Sequence, residues 1–600
     1  MIAMTPSRHI LRRALIPLLL LVLVWVAYAH SLSCAWQFDD NRSILEFDYA
    51  GATLGEVVRF APQRAVGFLT FWANYQLAGY DVAWWHVANI TLHCANTLLV
   101  YWLTLLIFAR AGRVSDRATR DAYALLAGAG VAGLFAVHPI QSQAVTYIVQ
   151  RLELLGALCL LVAVVGAVKA LEGGGRVRQF GWGALAVLAL GAGACSKEII
   201  VAAPVIIAAY VILLQLRTAR ARWHAAAVCA LGALVCVLAL LLQFKALRFT
   251  PWPQLTMAPF AVLWDTTTPL VHYATQPRML LMYLRLCLFP WHQRVEYDLV
   301  PSAGFSEAAV LGALALHLAL IGVGLALWRR IPVFLFGLIW FYAVLAPAAI
   351  MPNDLFEHRV YAALPGVLLA LLVPLCEELT SQAATVRRLL TTAVAGALAL
   401  LAVSFVFLTL LRNEVWQTPL TLWRDAALKS PGSWRANVNY GRELLVNDDL
   451  PGARRYLEHA YQLNSNNYQV ALNLGAWHYN VADYPRSLAL LQAADRMKPN
   501  QALVLWYLGT VQLAAGQEDA GSNTLLRAAT AEAITALAEH YRAQGRHAEA
   551  LPLYERILRK RPQDTSALMG MAETLIALQR TNAAARFLQP ARVLPAQGAP

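Results

Sequence analysis

LTTAVAGALALLAVSFVFLTLLRNEVWQTPLTLWRDAALKSPGSWRANVNYG, residues 390–441, changes character once, and that change divides the chain. Up to Leu411 it is uncharged and apolar, for the length an α-helix needs to cross roughly 30 Å of hydrocarbon. After Arg412 the apolar runs stop, and the rest is of ordinary water-soluble character. Similar apolar blocks recur upstream, in a chain of 600 residues that is 59% hydrophobic and 14% charged. Lipid admits only helices or closed barrels, and continuous apolar runs select helices. The reading is an all-α polytopic membrane bundle over 1–411, a linker over 412–433 and a soluble domain over 434–600.

The basic clusters fix the threading. Residues 8–13, 110–120, 175–179, 217–222, 328–330 and 386–388 are rich in Lys and Arg and lie in short interhelical loops, which stay cytoplasmic. Eleven spans are expected, at 12–30, 86–108, 121–137, 152–170, 181–195, 199–216, 224–244, 308–327, 332–350, 361–378 and 390–411. The soluble domain is then exported, together with loops 31–85, 138–151, 195–198, 245–307 and 351–360. Residues 279–291 are apolar but short and carry Arg285, so they are expected to lie on or dip into the outer face. In the first exported loop a surface helix around 53–78 is expected to bury Phe60, Phe68, Phe71 and Trp72 among headgroups, and Trp84-Trp85 reads as an interfacial aromatic belt. The first run ends in Ala27-Tyr28-Ala29, which also resembles a signal-peptide cleavage site; a retained anchor is the preferred reading.

The net charge of +13 is spent in those loops, and no basic face is interleaved with exposed aromatics, which argues against nucleic acid as a partner. The eight cysteines are scattered, without metal-ligand spacing, and only Cys34 and Cys195 are expected near the outer surface. His86 and His93 share a helix face but lack further ligands, so they read as packing residues rather than a metal site.

From Trp434 a repeat appears. Gly441, Gly475 and Gly509 are evenly spaced, and Ala494, Pro499, Ala538, Tyr541, Ala550, Tyr554 and Pro562 fall where tetratricopeptide repeats place packing residues and terminal prolines. The interval before the fourth unit is short, and a fifth follows from 565 with Ala572, Leu575, Ala584 and Ala591. About five stacked units form an α-solenoid whose groove suits a peptide or protein partner, the alternative being a spacer or dimerisation module.

The polar residues of the membrane half gather at one interface instead of mid-span, which favours interfacial chemistry over transport. WQFDDNRSI, the 68–100 segment, VHPIQSQAVTYIVQRLELL at 137–155, SKE at 196–198 and EHRVYAALPG at 357–366 resemble the TMTC-type glycosyltransferases, relatives of protein O-mannosyltransferases with a GT-C fold and trailing tetratricopeptide repeats. The resemblance runs along most of the chain. One departure is Ala65 after Arg64, where relatives often have Arg-Pro.

The resemblance implies transfer of sugar from a polyprenyl-phosphate carrier, a membrane lipid. With the threading above, the reading is an inverting enzyme of a bacterial inner membrane that acts on a periplasmic acceptor, a protein presented by the repeats. The resemblance gives Asp39 the role of base, with Asp40 as orienting or tuning partner. The leaving phosphate needs cations, for which Arg359 and Lys197 come first and Arg151 and His138 second. Glu198, Glu357 and His358 are expected to pair with those cations or bind sugar or acceptor hydroxyls. No cofactor besides the lipid-linked sugar is implied, and the sequence is silent on a divalent metal. The alternatives are transfer to a glycolipid or polysaccharide, and a non-catalytic scaffold whose repeats are the working part.

Overall fold

The computed structural model describes residues 6–111, 116–172, 175–215, 269–350 and 355–593, with the isolated positions 230 and 234. Among them every regular element is a helix, and the chain divides into two compact units, Met1–Asp425 and Ala426–Pro600.

In the first unit, nine helices among the described residues are long and apolar enough to cross a membrane. They are Ala14–Ser33, Val82–Arg110, Arg117–Val137, Ile148–Leu171, Glu198–Gln215, Ala308–Leu327, Pro332–Ile350, Leu364–Ser381 and Ala384–Val415, each matching an expected span. The chain is thus a multi-pass membrane protein. The span expected at 181–195 lies in a helix, Arg176–Ala194, that is not among the nine; the one at 224–244 lies outside the described residues but for position 230 and 234.

Lipid offers no hydrophobic drive between helices, so close packing by small residues holds such bundles together. Pro332–Ile350 and Leu364–Ser381 cross where Gly337 faces Gly366: a Cβ on either would collide with the backbone oxygen of the other. Gly166 admits the backbone of Trp182 in the same way, joining Arg151–Leu171 to Arg176–Ala194. Ala384–Val415 is the exception. Only 11% of its apolar window is buried, so its flank faces outward along most of its length.

Three expectations are corrected. Residues 279–288 are not a surface helix: they end Pro269–Leu288, whose Tyr283, Leu286 and Cys287 are buried in the core, while Phe289 and Trp291 just beyond it are exposed. The headgroup-facing helix at 53–78 is two helices, Leu54–Phe60 and Ala65–Ala78, with Phe68 and Phe71 turned inward and Phe60 exposed. Trp85 is buried, with Nε1 donating to the Gly79 carbonyl at 3.0 Å, and only Trp84 is exposed. Phe71 and Trp85 both face the buried guanidinium of Arg151. Residues 412–433, expected as a linker, carry the end of Ala384–Val415, where Arg412 and Asn413 are buried, and then the helix Pro419–Lys429.

The second unit is a run of helix pairs: Trp434–Val446 with Leu450–Leu463, Tyr468–Asn480 with Tyr484–Met497, Ala502–Ala514 with Glu518–Ala528, Ala531–Ala543 with His547–Lys560, and Thr565–Ala577 with Thr581–Val593. Gly441, Gly475 and Gly509 each sit against a leucine of the second helix in the pair; a Cβ there would lie 2.6–2.9 Å from Leu457, Leu491 and Leu525. The turn inside each pair carries one left-handed residue, at Asp448, Ala482, Gly516, Gly545 and Gln579. The short interval has a local cause: Glu518–Ala528 is brief and stops at Ala529, whose φ of 56° reverses the chain at once.

Candidate active site

The loops at one end of the membrane helices fold over one another. Residues 34–37 are tied to the end of Ala384–Val415: the Ala35 amide donates to the Gln417 carbonyl (3.0 Å) and Gln37 Nε2 to that of Trp416 (3.2 Å). His86 Nε2 bonds the Cys34 carbonyl at 3.0 Å. His93 bonds Tyr361 and the Ala136 carbonyl, so both histidines serve the packing.

On this base the acidic pair divides its work. Asp40 is fully buried and accepts two backbone amides, from Gln37 at 2.9 Å and from Val149 at 2.8 Å. Burial pushes its carboxyl up to about 8, with the charge of Asp39 adding to the rise, while the two amides and Arg151 pull the other way. Asp39 is exposed, and its amide donates to the Tyr147 hydroxyl at 2.9 Å. Phe38 aims the pair: its φ of 43° is a left-handed backbone that only a tightly held phenylalanine adopts. Trp423, at 4.7 Å between ring centroids, and Tyr147, at 5.7 Å, hold it, and Tyr147 stacks in turn on Trp416.

A second cluster forms around Lys197. Its ammonium lies 3.6 Å from Glu153 and 3.9 Å from Glu198. Gly156, three residues after Glu153 on Arg151–Leu171, makes this approach possible, since a Cβ there would lie 2.7 Å from the Lys197 Cβ. Arg359 is half-buried beside Phe356, and its charge acts on both Glu153 and Glu198. His358 is buried, with no partner for Nδ1 among the described residues, and its amide donates to Gln143 Oε1 at 2.7 Å. Burial, then the charges of Lys197, Arg359 and Arg64, hold its imidazole well below the ordinary histidine range, so it is neutral.

Segment 143–153 serves both clusters: Tyr147 and Val149 hold the acidic turn, while Gln143 and Glu153 hold the basic one. Lys197, Glu198, His358 and Arg359 are therefore brought together, and Asp39 and Asp40 stand on the same support.

Three expected site residues are committed to the scaffold instead. Arg151 is buried, donates to Asn89, Asn74 and the carbonyls of Thr70 and Trp85, and lies over the rings of Phe71 and Trp85. A phosphate there would have to displace this shell. His138 uses both ring nitrogens, at the Cys287 carbonyl (3.0 Å) and the Ile140 amide (3.2 Å), and burial pulls its imidazole down to about 3. Glu357 is fully buried and accepts from the Arg294 amide (2.7 Å), Tyr297 (2.6 Å) and Gln293 (3.2 Å), anchoring the segment after Pro269–Leu288.

The sequence reading passed over Glu153. It is fully buried, among the described residues neither carboxylate oxygen has a hydrogen-bond partner, and it forms an ion pair with Lys197. Its signal was a carboxylate at the start of an apolar run, where a charge is costly and marks function. Among the described residues, no group of three or more His, Cys, Asp or Glu is placed to hold a metal ion. A separate cleft of about 430 Å³ opens at the opposite helix ends, between Asp116, Arg330, Glu377 and Arg387.

Comparison with known proteins adds two findings. The family model for the tetratricopeptide repeat matches residues 541–593. The chain is 27% identical over 252 residues to the protein O-mannosyl-transferase Tmtc2 of Drosophila melanogaster, covering 39% of this chain and 25% of that protein. It is 30% identical over 178 residues to Tmtc3 of the same organism (26% and 19%), and 29% identical over 161 residues to TMTC4 of Homo sapiens (24% and 22%). The matched part spans a quarter or less of each of these relatives. Among solved structures, MamA is 20% identical with a TM-score of 0.23, covering 26% of this chain and 92% of that one. YrrB, described as a tetratricopeptide-repeat protein with an unusual peptide-binding site, is 18% identical with a TM-score of 0.23, covering 29% and 93%. The chain is similar to the TMTC proteins and carries tetratricopeptide repeats.

Proposed function

We propose that this chain is a membrane glycosyltransferase of GT-C type that moves a sugar from a polyprenyl-phosphate carrier to a protein hydroxyl. The observation that carries the reading is the division of the acidic pair: one carboxylate is sunk into backbone amides, and the other is presented outward on the turn it fixes. In the reaction, the acceptor oxygen attacks the anomeric carbon while Asp39 takes its proton. The carbon–oxygen bond to phosphate breaks, and the bond electrons leave with the lipid phosphate. Lys197 and Arg359 neutralise that charge, and desolvation makes each cation worth more than in water. Glu198 and His358 line the same cluster and are the groups offered to sugar hydroxyls. The relatives are named for mannosyl transfer, so mannose is the first donor sugar to test.

The site and the repeats would face the periplasm of a bacterial inner membrane, the basic loops remaining inside. The repeats would present the protein acceptor. Mass spectrometry of periplasmic glycoproteins from cells with wild type, Asp39→Asn or a deletion tests this. Loss of the same modification in both altered strains is the expected outcome. Full modification with Asp39→Asn would remove Asp39 as base, and an unchanged glycoproteome in the deletion strain would reject protein glycosylation.

A further inference from the structure

Arg64 stands outside every role assigned so far. It ends the short helix Pro62–Arg64, its side chain is exposed, and the next residues are clamped from two sides. The Val66 amide donates to the Cys195 carbonyl at 3.0 Å, two residues from each of Arg64 and Lys197. Gly67 packs directly on Leu152, the neighbour of Glu153, at a spot where a Cβ would collide with the leucine side chain. The arginine is thus fixed beside the basic cluster by contacts on its own segment. Its charge acts on Glu198 and on His358, as do those of Lys197 and Arg359.

Three cations from three separate segments meet two carboxylates here, Glu153 and Glu198. With His358 neutral, the charges of Arg64, Lys197 and Arg359 act on one place, and like charges gathered so closely repel unless an anion joins them. The cluster is also layered. Glu153 is buried, Lys197 is 9% exposed above it, and Glu198 is half-exposed at the mouth. A ligand arriving from outside meets exposed Arg64 and Glu198 first, then half-buried Arg359 and, deeper, Lys197.

We infer that Arg64 is a third phosphate-binding cation, forming with Lys197 and Arg359 the cradle for the lipid phosphate of the donor. This rests on the donor reading proposed above. It assigns to the first exported loop a share in donor binding as well as in proton transfer, since Arg64 and Asp39 belong to the same loop.

The test uses the full chain in lipid nanodiscs and undecaprenyl phosphate as probe, with binding measured for wild type, Arg64→Ala, Arg64→Lys and Arg59→Ala. Arg59 is an exposed arginine of the preceding helix and controls for general surface charge. Arg64→Ala is expected to weaken binding about tenfold or more, the scale of a lost charge-assisted hydrogen bond, with Arg64→Lys restoring most of it and Arg59→Ala matching wild type. Equal binding by Arg64→Ala and wild type overturns this inference alone, as does an equal loss with Arg59→Ala. Failure of the wild type to bind the probe overturns the donor reading beneath it. Unfolding temperatures of all four proteins are compared in parallel, and a folded Arg64→Lys keeps the test decisive even where Arg64→Ala is unstable.

Discussion

Replacing Asp39 by Asn removes a proton acceptor from an exposed side chain and leaves the hydrogen bonds of its turn in place. Transfer is expected to fall about 10²–10⁴-fold, the usual worth of a general base, with Tm unchanged. Asp40→Ala should do the reverse. It strands the buried amides of Gln37 and Val149, each costing about 1–3 kcal/mol, so a fall in Tm accompanies any loss of activity. The pH dependence of stability gives Asp40 a separate signature. Its folded carboxyl is raised to about 8, so between about pH 4 and pH 8 the native state holds a proton that the unfolded chain has released. Stability from this group is present at the acid end and drains away as pH rises through that window. Thermal unfolding from pH 5 to pH 8 should show the slope in wild type and lose it in Asp40→Asn. The sequence offered the pair but not its division, because the partner that buries Asp40 is Val149, 109 positions away. Arg151 was opaque for the same reason: its acceptors, Asn74 and Asn89, look like ordinary polar residues of neighbouring helices.

At the scale of elements, glycine decides how near the pieces of the site can come. Gly156→Val would drive a branched side chain into Lys197 and Ile199 while leaving every ionisable residue of the cluster in the sequence. The expected result is a folded protein with weakened donor-lipid binding; binding equal to wild type would mean the 196–199 turn moves freely, contrary to this packing. Glu153→Leu tests the layer beneath. Removing one member of a buried ion pair leaves the other uncompensated, at about 3–5 kcal/mol, so Lys197 should swing outward and Tm should fall. Hydropathy located the helices well, since apolar length is a one-dimensional property. It misjudged the end of Pro269–Leu288, where Arg285 suggested a surface although Tyr283, Leu286 and Cys287 around it are buried. Arg278 reaches Ser302 and the Val300 carbonyl, and Arg285 the Trp291 carbonyl. Arg285 is itself exposed, so its charge reports the face it stands on and not the buried face of the same helix.

For the molecule as a whole, the repeats were the most legible part. Gly441, Gly475 and Gly509 each admit a leucine of the second helix, so spacing and packing carry the same information. Gly475→Val should unfold its helix pair locally, at a cost of about 1–3 kcal/mol, detectable by hydrogen exchange in residues 468–497. Truncation after Ser433 keeps Pro419–Lys429 intact and should leave undecaprenyl-phosphate binding unchanged while lowering modification of protein acceptors. The two kinds of unit were readable because each repeats a simple physical rule, and the site was less so because it is made of exceptions to both. The outward-facing Ala384–Val415 helix carries a consequence of another kind. Its uncharged stretch, 389–411, is roughly 34 Å long at 1.5 Å per residue, a few ångströms more than an average hydrocarbon core. Such a helix tilts as the bilayer thins, and its far end carries Asn413 and Trp416, which bond and stack against Thr146 and Tyr147 behind Asp39. Turnover in liposomes should therefore vary with acyl-chain length, making the thickness of the membrane a setting of the catalyst.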